Sequence, residues 1–84
     1  MDEPVEQRHR INLTDVELTD LIEEVSIVTG YTFIVHPQVR GRVTVTSQTP
    51  LTTDEVFEVF LSTLRVHQFV AVPAGNRTYR IVPE

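Results

Sequence analysis

The side chains in this 84-residue chain that could do chemistry are three histidines, twelve carboxylates and seven basic residues, with no cysteine among them. Without thiols there is neither a disulfide framework nor a thiolate metal site. His9, His36 and His67 form no i, i+4 pair and no HExxH pattern, so each reads as a surface or strand-end residue, not a metal ligand. Glu23 and Glu24 are sequence neighbours and diverge on a helix. Asp54 and Glu58 share a helix face that reads as solvated, and Asp54 and Glu55 suit a helix N-terminus. No serine lies in a GxSxG context. The glycines at 30, 41 and 75 are too far apart for a phosphate-cradling loop. One cluster stays interesting, "VHPQVRGRVTV" (35–45), where Arg40 and Arg42 flank Gly41 close to His36. It could draw an anion, but it runs into a strand, not into a helix N-terminus. A turn with Gly41 at positive φ is the favoured reading. No catalytic constellation emerges, and the chain is read as a non-enzyme that needs no cofactor.

The elements that hold these residues follow from periodicity. Residues 1–9 are read as a flexible N-terminal segment, polar and without a period through "MDEPVEQ". "RINL" (10–13) alternates as a short strand with Ile11 and Leu13 inward. Thr14 and Glu17 have the spacing of a capping box, predicting a helix whose apolar stripe is Leu18, Leu21, Ile22, Val25 and Val28. Gly30 stands where a left-handed C-terminal cap is wanted. "YTFIVH" (31–36) is a strand, Pro37 and "QVRG" a turn, and "RVTVTS" (42–47) a half-buried strand with Val43 and Val45 on one face.

The second helix has the fullest local signals. Thr52 and Glu55 make a capping box, Leu51 can staple to Val56, and Phe57, Phe60, Leu61 and Leu64 continue the buried stripe. Arg65 lies near the end where the helix dipole favours a cation. "FVAVP" (69–73) and "TYRIV" (78–82) form a hairpin across "AGNR", with Gly75 and Asn76 the residues that tolerate positive φ. The order is β-α-β-β-α-β-β, a single α+β domain over 10–83.

Charge narrows the partners. The net charge is −5, and every basic residue is arginine. Asp15, Glu17, Asp20, Glu23, Glu24, Asp54, Glu55 and Glu58 fall in the expected helices, whereas most arginines fall in strands or turns. An electrically two-sided module suits orientation within a protein assembly. With only Tyr31 and Tyr79 available for stacking, no nucleic-acid partner is expected. No apolar run approaches a membrane span, and no signal-peptide core follows Met1, so an exported protein would be represented by its mature or trimmed form.

Three segments in order resemble a known family. "INLTDVELTDLIEEVSIVTGYTFIVHPQVRGRVTV", "PLTTDEVFEVFLSTLRVHQFVAVPAGN" and "YRIVP" are similar to the N-terminal periplasmic domain, N0, of type II secretion secretins. Two departures are visible. His36 stands where the family usually has aspartate, and Gln68 where it often has glycine. The first alters the charge of the turn without threatening the fold.

The resemblance implies two helices packed between a two-stranded and a three-stranded mixed sheet. It also implies the periplasmic part of an outer-membrane channel in a Gram-negative bacterium. The implied partners are the periplasmic domain of the inner-membrane clamp protein, neighbouring secretin subunits in a ring, and secreted substrates. Partner contacts carried over by position fall on Arg10, Ile11, Asn12 and Leu13 and on Arg42, Val43, Thr44, Val45 and Thr46. Strand alternation turns Arg10, Asn12, Arg42 and Thr44 outward. The alternative is the similar signalling domain of TonB-dependent transducers, which binds an anti-sigma regulator.

Overall fold

The computed structural model describes residues 8–84. Its elements are β1 (Arg8–His9), β2 (Asn12–Glu17), α1 (Leu18–Thr29), β3 (Thr32–Val35), β4 (Arg42–Thr46), β5 (Leu51–Thr52), α2 (Thr53–Val66), β6 (Phe69–Gly75) and β7 (Thr78–Pro83). The expected order is present, with the two-residue strands β1 and β5 added and paired to each other. Most of the segment read as flexible lies outside the described residues; Arg8 and His9 form β1. No helix among the described residues is long and apolar enough to cross a membrane.

Strands β2 and β4 make an antiparallel two-stranded sheet, while β3, β7 and β6 make a mixed three-stranded one in that order. β7 is parallel to β3 and antiparallel to β6. α1 packs on β2 and β4, α2 packs on β6, and the helices pack on each other. This is the α+β arrangement of two helices between two sheets.

The core grows from the apolar stripes. Leu18, Leu21, Ile22 and Val25 of α1 meet Val56, Phe60 and Leu64 of α2, with Val43 and Ile81 closing from the two sheets. Val28, Phe57 and Leu61 are half-buried against this cluster. Phe33, Phe57, Phe60 and Tyr79 add edge and tilted ring contacts at 5.2–6.2 Å, backing the three-stranded sheet with aromatic area.

The two helices begin differently. Thr52 Oγ1 accepts from the Glu55 N–H at 3.1 Å, and Glu55 Oε1 accepts from the Thr52 N–H at 2.8 Å, a complete capping box. The box expected from Thr14 and Glu17 does not form. β2 runs on through both residues, pairing Val16 with Val43 and Glu17 with Arg42. Glu17 becomes the N-cap without a side-chain cap bond. The Leu18 N–H instead donates to the Gly41 carbonyl at 2.8 Å. Tertiary pairing of an extended segment has overridden a local helix signal.

Elsewhere the turns follow their residues. Gly30 caps α1 at φ 75, and its N–H donates to Ser26 O at 2.9 Å. Arg77 closes that end from the hairpin turn, donating to Thr29 O at 3.1 Å with its guanidinium 5.3 Å from the Tyr31 ring centroid. The positive φ values in that turn fall on Gly75 and Arg77, not on Asn76. Gln68, where the family often has glycine, sits at φ 65, the left-handed region that glycine occupies most easily. His36 Nδ1 accepts from the Gln38 N–H at 3.0 Å, the task an aspartate oxygen performs in an Asx turn.

Candidate docking surface

The β2–β4 ladder carries seven of the nine residues singled out by position, with Arg10 and Ile11 lying just before β2. The ladder is not a plain hairpin. Its register shifts between Leu13 and Val16, and Asp15 takes φ 52. This bulge brings Asp15 alongside β4. The Asp15 N–H donates to Thr44 Oγ1 at 3.0 Å. Arg42 Nε donates to Asp15 Oδ1 at 2.9 Å, and another guanidinium nitrogen donates to the Asp15 carbonyl at 3.1 Å. Beyond the formal strand, the Ile11 N–H donates to Ser47 Oγ at 3.2 Å, while Ile11 O accepts from the Ser47 N–H at 2.8 Å.

The nine candidate residues divide cleanly by burial. Ile11 and Val43 are core, at 6% and 5% exposure. Leu13 and Val45 are half-buried against it. Arg10, Asn12, Arg42, Thr44 and Thr46 are exposed. Arg42 and Thr44 are nonetheless engaged with Asp15, whereas Arg10 and Asn12 make no such contact. The ladder residue that sequence reasoning misplaced is Asp15, together with Glu17; both were assigned to the helix and lie on β2. The charge separation between helices and strands is therefore less complete than expected. A bulge has no short-range sequence signature strong enough to have been found here.

Two grooves border the ladder. One, about 350 Å3, lies between residues 9–13 and α1, with Leu21, Val25 and Val28 on its wall and Glu24 on its rim. The other, about 260 Å3, lies where Arg40, Gly41 and Arg42 meet Glu17, Leu18 and Thr19. So the fold does bring the arginine turn to a helix N-terminus, which the sequence did not suggest. An anion there would face the carboxylates of Glu17 and Asp15, and Arg42 already holds Asp15. The Leu18 N–H is also taken by Gly41 O. His9, His36 and His67 are dispersed to β1, to the end of β3 and to the C-cap of α2. Among the described residues no group of His, Asp and Glu side chains could hold a metal ion.

The site is thus a two-stranded, bulged ladder on a small α+β module. The family profile described as "GspD-like, N0 domain" matches residues 11–81, and the chain belongs to that family. The secretin XcpQ of Pseudomonas aeruginosa is 42% identical over 73 residues, covering 87% of this chain and 11% of XcpQ. The crystal structure of the N-terminal domain of that secretin superposes with a TM-score of 0.87 at 40% identity, covering 92% of this chain and 36% of the solved one. The Klebsiella pneumoniae type II secretion outer-membrane complex, containing PulD, PulS and the PulC HR domain, matches at 30% identity and a TM-score of 0.75. That match covers 84% of this chain and 12% of the solved one. The chain spans about a tenth of the length of the curated relatives it matches. The secretin reading of the sequence is thereby established over the transducer reading.

Proposed function

We propose that this module is a binding domain without catalytic activity. In this reading it is the periplasmic N0 part of an outer-membrane secretin, and it docks the periplasmic domain of the inner-membrane clamp protein. The observation that carries the reading is the β2–β4 ladder. It has only two strands, so each has one edge that no other described strand pairs. Unpaired backbone donors and acceptors are a rail for strand or loop addition, and outward side chains set specificity. The presence of the PulC HR domain in the Klebsiella complex supports a clamp partner.

Arg10, Ile11, Asn12 and Leu13 on one strand, with Arg42, Val43, Thr44, Val45 and Thr46 on the other, are the proposed contact set. Within it Arg10, Asn12 and Thr46 are the exposed residues whose side chains make no hydrogen bond or ion pair among the described residues. Neighbouring subunits in a ring, and secreted substrates, are further partners in this reading. A single small contact of this kind is weak, in the micromolar range or roughly −8 kcal/mol. A ring would raise its effective strength through avidity.

Calorimetric titration of the clamp protein's periplasmic domain tests the surface. Asn12→Ala and Arg42→Glu should each weaken binding. Asp15→Ala separates the two roles of Arg42, since it breaks the internal ion pair but leaves the arginine in place. Unchanged affinity in both Asn12→Ala and Arg42→Glu removes the ladder as the docking surface.

A further inference from the structure

His36 stands at the exit of β3 and opens the turn that leads to Gly41. The Gln38 N–H donates to His36 Nδ1 at 3.0 Å. That nitrogen must therefore hold a lone pair, which leaves the ring proton of a neutral imidazole on Nε2. The backbone of His36 is tied as well: its N–H donates to Ile81 O, and its carbonyl accepts from the Val39 N–H, both at 2.9 Å. Val39 is the one residue of the turn that enters the core, at 4% exposure. Two residues on, the Gly41 carbonyl accepts from the Leu18 N–H at 2.8 Å, and Arg42 opens β4 opposite Glu17. One short turn thus joins the core, the start of α1 and an end of the ladder.

The charged groups around the turn come from each element beside it. Arg40 lies within it, and Arg80 is the charged residue of β7, the strand next to His36. Glu84 follows β7, with its N–H bound to Gln68 O. At the far end are Glu17 and Arg42, the latter held by Asp15. A second imidazole is also there: the His67 ring lies against Gly41, where a Cβ would stand 3.2 Å from Nδ1. Among the described residues neither ring makes an ion pair with any carboxylate. A proton gained by His36 is not offset by a paired anion.

We propose that His36 makes this turn a pH-sensitive latch. Neutral, the ring accepts from Gln38 and the turn is closed. Protonated, Nδ1 carries its own hydrogen and two donors oppose each other. The ring must then swing away and leave the Gln38 N–H to water. Histidine is the side chain whose ordinary charge change falls between about pH 5 and 8, whereas an aspartate there would stay an acceptor throughout that range. The stabilisation from the bond is present above the range and is lost as pH falls through it. Opening is local, reaching Val39 and the Leu18 cap before the domain as a whole. Weaker docking in mild acid, through the Arg42 end of the ladder, rests on the proposed function; the latch itself does not.

Nuclear magnetic resonance of the 15N-labelled domain between about pH 8 and 5 tests the latch. At the upper end the His36 ring nitrogens should report the Nε2–H form. As the ring gains its proton, the Gln38 amide signal should shift along the same titration curve. Protection of the Val39 and Leu18 amides from exchange, corrected for intrinsic pH dependence, should fall about five-fold, the worth of one ordinary hydrogen bond. His36→Asn and His36→Asp both supply an oxygen that accepts without titrating in this range. Each should keep the turn closed and lose the response. A Gln38 amide that stays in place while His36 titrates overturns the proposal. So does an unchanged response in the folded His36 variants. His67→Asn is the control for the second ring: loss of the Val39 and Leu18 response in that variant, with His36 intact, overturns the assignment to His36. A turn that opens as expected while clamp affinity stays level supports the latch and counts against the docking ladder alone.

Discussion

Both helices of this domain are preceded by the same signature, Thr-x-x-Glu, and only one uses it. At α2 the pair Thr52 and Glu55 closes reciprocally. At α1 the pair Thr14 and Glu17 is drawn into β2, and the first helical N–H is satisfied by the Gly41 carbonyl across the fold. The difference shows what a capping box is worth. Each such bond contributes about 1 kcal/mol, less than β2 gains by pairing along its length with Val16 half-buried against the core. α2 starts where its own residues say, and α1 starts where β2 can no longer pair.

If that is right, α1 should be most sensitive to tertiary contacts at its start. Leu18, the first residue of α1, is fully buried. Leu18→Ala should cost about 3 kcal/mol, read as a lower midpoint in urea denaturation. In a domain with a total stability of order 5 kcal/mol, this leaves a substantial unfolded population. A cost below that of losing the α2 cap would break the comparison.

Gly41→Ala attacks the same place from the other side. Gly41 sits at φ 146, and a Cβ there would stand 3.2 Å from His67 Nδ1. The side chain both strains the backbone and displaces the carbonyl that caps Leu18. A loss of about 2 kcal/mol is expected, with faster amide exchange in the first turn of α1 as the local readout.

The sharpest version of the comparison is the matched pair. Thr52→Ala should cost about 1 kcal/mol, and Thr14→Ala should stay within about 0.5 kcal/mol, as for an exposed site that makes no such bond. Equal costs would mean that Thr14 contributes something the backbone pairing does not explain.

These cases mark where the sequence was readable. α2, the Gly30 cap, the β6–β7 hairpin and the alternation of Arg42–Thr46 were legible because each is decided by residues within a few positions. β1 and β5 were not, since a two-residue pairing between positions 9 and 51 carries no periodic signal. Nor was the left-handed turn residue, because Arg77 is held at φ 55 while its side chain reaches Thr29 and Tyr31. The candidate surface was half legible. On β4 the period of two was unbroken, so inward and outward residues were assigned correctly. On β2 the bulge at Asp15 interrupts the period, and the ion pair to Arg42 spans 27 positions.

That ion pair yields the smallest expected effect on stability. Its side chains are 60% and 70% exposed, so solvent and salt screen most of the attraction. Asp15→Asn keeps a residue that tolerates the left-handed backbone and keeps the N–H that donates to Thr44, removing only the charge. Stability should change by less than about 0.5 kcal/mol, and the difference should vanish in high salt. The same variant leaves the Arg42 guanidinium without its internal carboxylate while the ladder keeps its shape. If Arg42 is a contact residue, the released cation should then bind an acidic partner group more tightly, so clamp affinity should rise as stability stays fixed. A ladder whose affinity follows its stability in this variant would instead place the partner's grip on the backbone edge alone.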